Sequence, residues 1–140
     1  MPIKIDNYNK EIIFADRIII INCITRNEKK SCDNFFNIMR FIEEKISKLM
    51  DSCGIPEQII LNFKKGDKTL SAMYYVNSKE ISRHLIVIDI YTSPLKEMSE
   101  KEKDFELIHS FVHELIHHKY KDEKKTDEMT KKYLKENLDI

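Results

Sequence analysis

The stretch Ser99-Glu100-Lys101-Glu102-Lys103-Asp104-Phe105-Glu106-Leu107-Ile108-His109-Ser110-Phe111-Val112-His113-Glu114-Leu115-Ile116-His117-His118-Lys119-Tyr120 decides how this chain folds. Ser99 with Glu102 three residues on is a capping box, and Phe105, Leu107, Ile108, Phe111, Val112, Leu115 and Ile116 recur at three- and four-residue spacing. The pattern predicts a helix from about Glu100 to about Tyr120. At 100° per residue, Leu107, Ile108, Phe111, Val112 and Leu115 gather on one side, with His113 and His117 roughly opposite and Ile116 and Tyr120 at the margin. One face is therefore for a core and the other for a cleft.

Downstream, the charged loop Lys121-Asp122-Glu123-Lys124-Lys125 leads to Thr126, read as the N-cap of a last helix that holds Met129, Tyr133, Leu134 and Leu138. Upstream, three extended segments are expected, Gln58 to Phe63, Ser71 to Asn77 and His84 to Tyr91. Turn-like Lys64-Lys65-Gly66-Asp67 and Asn77-Ser78-Lys79-Glu80 separate them, so they should form a small twisted sheet. From Cys32 to Cys53 the positions Phe36, Ile38, Met39, Ile42, Ile46, Leu49 and Met50 predict one long amphipathic helix, stopped by Gly54 and Pro56. The β-branched run Arg17 to Thr25 reads as a buried strand, paired with Glu11 to Ala15 through the polar Asp16-Arg17 step. The expectation is a single α+β domain over residues 1–140, with a long N-terminal helix, a short twisted sheet, a site-bearing helix and a C-terminal helix.

Composition bounds the function. With 24 Lys+Arg against 24 Asp+Glu, the chain has no overall electrostatic footprint for nucleic acid or an anionic membrane. The N-terminus lacks a secretory pattern, and the most apolar stretch, Ile12 to Ile24, is broken by Asp16 and Arg17. Cys23, Cys32 and Cys53 suit reduced, half-buried thiols. A cytoplasmic protein with no nucleic-acid or membrane partner is expected, its oligomeric state left open.

Residues four apart on a helix share a face, so His113 and His117 can aim imidazole nitrogens at one Zn2+ ion. Glu114, about 100° round from His113, falls outside the ligand set and close to the open coordination position, where a general base belongs. Zinc lowers the pKa of its water to about 7, which lets one ion and one carboxylate hydrolyse a peptide bond. His109, one turn before His113, could contact substrate or be a plain half-exposed histidine; His118 and His84 read as structural. Catalytic zinc usually takes three protein ligands, and the acidic choices are Asp122, Glu123, Asp127 and Glu128. An antiparallel helix pair brings residue 127 or 128 level with His117, and helical phase favours Asp127 over Glu128.

His113-Glu114-Leu115-Ile116-His117, preceded by an extended Ile/Val segment and followed by an acid on the next helix, resembles the zincin metallopeptidases. Within them it is similar to the compact gluzincin-like group that includes the ImmA/IrrE family. Asp127, Thr130 and Tyr133 fall where that group carries a Glu, a small residue and an aromatic. The metzincin pattern wants Gly at 120 and His or Asp at 123, where this chain has Tyr120 and Glu123. The resemblance implies intracellular cleavage of a protein or peptide substrate, with Ser71 to Asn77 as an edge strand on which an extended substrate could add. Two other functions compete: a non-catalytic zinc-binding regulator or inactive zincin, and a SprT-like protease of DNA-bound proteins, which the zero net charge disfavours.

Overall fold

The computed structural model describes residues 8–23, 26–64, 76–91 and 98–138, which form an α+β domain. Strands β1 (Tyr8–Phe14) and β2 (Arg17–Cys23) pair as an antiparallel hairpin, as the β-branched run and the polar Asp16-Arg17 step predict. Its two-residue turn is Ala15-Asp16, with φ of 53° and 59°, the left-handed conformation that matches the twist of a two-residue hairpin. A left-handed Ala is strained, and Glu43 Oε2 offsets this by accepting the Ala15 N–H at 2.9 Å.

The expected single helix from Cys32 to Cys53 is two: α1 (Arg26–Phe41) and α2 (Glu43–Cys53). At Ile42 the backbone leaves helical ψ (φ −115°, ψ 16°), and its N–H bonds back only three residues, to Met39. The break lets neighbouring side chains reach the hairpin: Arg40 donates to the Ile13 carbonyl while Glu43 holds Ala15. Apolar spacing carried no sign of this, because Ile42 and Ile46 keep the four-residue rhythm across the break. Gly54 ends α2 at φ 70°, as the sequence indicated.

Strands β3 (Gln58–Lys64), β4 (Val76–Ser82) and β5 (Leu85–Tyr91) complete a mixed five-stranded sheet of order β1-β2-β3-β5-β4. The central β2, β3 and β5 run parallel, with β1 and β4 antiparallel at the edges. The Asn77 to Glu80 stretch, expected as a turn, lies inside β4, and the chain reverses at Arg83-His84 instead. Most of the candidate substrate strand, residues 71–75, lies outside the described residues; its last two positions open β4, which is an edge strand.

On one sheet face Ile19, Ile21, Ile59, Leu61, Phe63, Ile86, Ile88 and Ile90 are buried beneath the helices. Phe35 sits at the centre of this core, in edge-to-face contact with Phe36, Phe63 and Phe111 at 5.1–6.2 Å. Phe111 belongs to α3 (Glu100–Lys119), capped by Ser99 as the sequence predicts. A turn at Tyr120-Lys121-Asp122 leads to α4 (Glu123–Tyr133) and a closing π-helical turn, Leu134–Leu138. The N-cap of α4 is Asp122, whose Oδ1 accepts the Lys124 N–H, rather than Thr126. Thr126 is fully buried inside the first turn and donates to the Asp122 and Tyr120 carbonyls at 2.8 and 3.1 Å. This earlier start moves Glu123 into the first turn of α4, one turn ahead of Asp127 on the same face.

Candidate metal centre

Helix α3 divides its faces as the wheel requires. Leu107, Ile108, Phe111, Val112 and Leu115 are in the core, and His113 and His117 are partly open, with side chains 16% and 26% exposed. Their rings lie 5.8 Å apart between centroids. The short α3–α4 turn folds the first turn of α4 against them, and two carboxylates arrive together.

Asp127 Oδ1 stands 2.9 Å from His113 Nε2. Glu123 spans both rings, with Oε2 at 3.4 Å from His113 Nε2 and Oε1 at 3.3 Å from His117 Nε2. Ligand atoms of His113, Glu123 and Asp127 all fall within 4.8 Å of one another. Donors held about 2.0–2.2 Å from a tetrahedral ion stand roughly 3.3–3.6 Å apart; each Glu123 distance has that length but runs to a different oxygen, and the Asp127 distance is somewhat shorter.

The far side of each ring has its own partner. His117 Nδ1–H donates to the Tyr120 carbonyl at 2.8 Å, which in the neutral imidazole leaves a lone pair on Nε2. That lone pair faces a carboxylate oxygen, so acceptor meets acceptor until a proton or a cation lies between them. His113 repeats the arrangement: Nδ1 is 3.4 Å from Glu114 Oε1, a long hydrogen bond, and Nε2 faces Asp127 and Glu123. The Glu114 carboxylate at Nδ1 holds the His113 imidazole above its ordinary pKa, against the opposing effect of burial, with Glu123 and Asp127 adding to the rise. Two imidazoles with their outer nitrogens anchored and their Nε2 atoms turned to carboxylates suit a divalent, nitrogen-preferring ion.

Of the residues the sequence singled out, His113 and Asp127 come together here with Glu123, and His117 joins them through its contact with Glu123. Glu128 is exposed and contributes no atom to the cluster. Glu114 is buried, 4% exposed, and its carboxylate lies against His113 Nδ1 rather than among the Nε2 atoms and carboxylates, where the sequence reading had set it beside the open position. Glu123, which the sequence assigns to the charged loop, joins the cluster from the first turn of α4. The signal that would have found it is Asp122, a good N-cap type, which starts α4 early enough to put Glu123 and Asp127 on one face. His109 is half-buried and stacks on His113 with centroids 6.5 Å apart, and burial holds its pKa below the ordinary value.

No family model, curated protein or solved structure matches this chain. No helix among the described residues is long and apolar enough to cross a membrane.

Proposed function

We propose that the chain is a zinc-dependent metallopeptidase acting on a protein or peptide substrate. His113 and His117 would hold one Zn2+ through Nε2, with Asp127 and Glu123 as the acidic ligands. The observation that carries this reading is the meeting of imidazole Nε2 atoms with carboxylate oxygens across the α3–α4 turn, at 2.9–3.4 Å. Bound zinc would supply Lewis-acid polarisation of the scissile carbonyl and a water acidic enough to attack near neutral pH. Tyr120 orients His117 through its carbonyl, and Glu114 orients His113 from the neighbouring position. As the base, Glu114 would turn from His113 Nδ1 toward the attacking water, take its proton and return it to the leaving amine.

A second reading, a zinc-binding regulator without catalysis, is favoured by one observation. Two imidazoles and two carboxylates would close a four-ligand shell, as structural zinc sites do. The exposure of the acids favours the enzyme: the Glu123 and Asp127 side chains are 65% and 56% open to solvent, so one can swing away and leave room for substrate.

Metal content, measured on protein purified without metal-affinity steps, tests the centre. About one zinc per chain is expected, lost in His113→Ala and in His117→Ala. A chain that holds none and takes none up ends the reading. Glu114→Gln separates enzyme from regulator: it should retain zinc and lose at least ~10²-fold in cleavage of any substrate found by a mixture-based screen. Equal cleavage by wild type and Glu114→Gln would remove Glu114 from the mechanism.

A further inference from the structure

Between α2, α3 and α4 lies a cavity of about 490 Å³, lined by none of the four cluster residues. Its walls are of two kinds. Leu49, Cys53, Ile116, Tyr120 and Met129 make an apolar wall, and Lys45, Lys48 and Lys119 bring three cationic side chains to it. Among the described residues no acidic side chain lines the cavity.

Two of the polar groups are already engaged. The Tyr133 hydroxyl donates to the Lys45 carbonyl, and Lys45 Nζ donates to the Asn137 carbonyl, tying α2 to the closing turn. Lys48 and Lys119 make no ion pair among the described residues, and the Lys119 ammonium lies 5.5 Å from the Tyr120 ring centroid. Lysine stems commonly lie along apolar surface with the charge at its edge, a disposition that suits the rim of a half-apolar cavity.

We propose that this cavity is a binding site for a small amphipathic anion, an alkyl or aryl body carrying one anionic head group. The body fills the Leu49, Ile116 and Met129 wall, and the head meets Lys48 and Lys119. The volume falls within the 300–1,000 Å³ range of small-molecule sites. Lys48 and Lys119 are exposed and hydrated, so an anionic head adds an ion pair at the rim while the body covers the apolar wall, and a molecule with both parts matches the lining best. The site stands apart from the metal reading and is tested without reference to it.

Octanoate, octanol and inorganic phosphate are the probes, titrated by calorimetry into the full chain. Octanoate should bind saturably at one site per chain, with octanol and phosphate each weaker by about ten-fold or more. The double variant Lys48→Met with Lys119→Met keeps the stems, removes two exposed charges and should fold as wild type. It should weaken octanoate about ten-fold and leave octanol unchanged. No saturable octanoate binding overturns the proposal. So does octanol or phosphate binding as tightly as octanoate, or a double variant with undiminished octanoate affinity and an unchanged unfolding temperature.

Discussion

Two regions of this molecule gather charged side chains around a tight turn, and they are built on opposite rules. At the β1–β2 hairpin the buried Arg17 donates from Nη1 to the Ala15 carbonyl, from Nε and Nη2 to the Ile55 carbonyl, and from Nη2 to Asp51. Glu43 accepts from Ala15 and from Arg40 there. In each of these contacts a donor meets an acceptor, with nothing further needed between them. At the α3–α4 turn, His113 and His117 present Nε2 to Glu123 and Asp127, contacts that a proton or a cation between nitrogen and oxygen completes. The first network stabilises the fold by itself, whereas the second could also be completed by a bound cation. The contrast predicts that the two regions respond in opposite ways to metal and to substitution.

The largest expected effect is metal itself. Zinc at a thousand times its dissociation constant should stabilise the wild type by about 4 kcal/mol, read from the unfolding midpoint with and without chelator, and should do nothing for a His113→Ala His117→Ala chain. A chelator-insensitive midpoint in metal-loaded wild type would erase the distinction between the two regions. Next, Arg17→Met should cost about 3 kcal/mol in denaturant unfolding, since it strands the buried Ala15 and Ile55 carbonyls, while zinc uptake persists. A cost below 1 kcal/mol would show that the guanidinium is not the hub of the hairpin.

Glu43 sharpens the comparison through pH. The Ala15 N–H, aided by Arg40, holds its carboxyl below the ordinary value of 4.5, against a smaller opposing effect of burial. A depressed carboxylate pKa contributes stability that is present above the unfolded value and lost as pH falls through the folded one. Glu43→Ala should therefore be less stable than wild type by about 1 kcal/mol at pH 7, with the gap closing as pH drops below 4.5. A gap independent of pH would mean that the Glu43 charge plays no part. The smallest effects separate the acids of α4. Asp127→Ala and Glu123→Ala should each weaken zinc retention in a chelator competition by about ten-fold or more, and Glu128→Ala should leave it as it was. Equal losses at all three positions would show that general negative charge, and not ligation, draws the ion.

Much of this was legible in the chain itself. Local rules act over a turn of helix or a pair of neighbouring residues, and they determined the Ser99 cap, the α3 boundaries, the Gly54 stop, the β1–β2 pairing and the two-faced helix with His113 and His117 on its open side. The helical phase of α4 likewise pointed to Asp127 over Glu128, though Asp127 stands beside His113 and not level with His117, where the pairing of the two helices had set it.

What the sequence could not decide depends on how elements meet. Ile42 keeps its periodicity, yet the helix breaks there because Arg40 and Glu43 are wanted at a hairpin far away in the chain. Thr126 and Asp122 are both good capping residues, and the buried hydrogen bonds of Thr126 to the turn behind it left the cap to Asp122. That choice, made by packing α4 against α3, carried Glu123 from a charged loop to within 3.4 Å of both imidazoles. The burial of Glu114 against His113 and the lysine-rimmed cavity between three helices likewise exist only after the helices have closed on one another. Spacing assigns a residue to a face, and the docking of that face against its neighbours determines which groups lie within hydrogen-bonding distance of it.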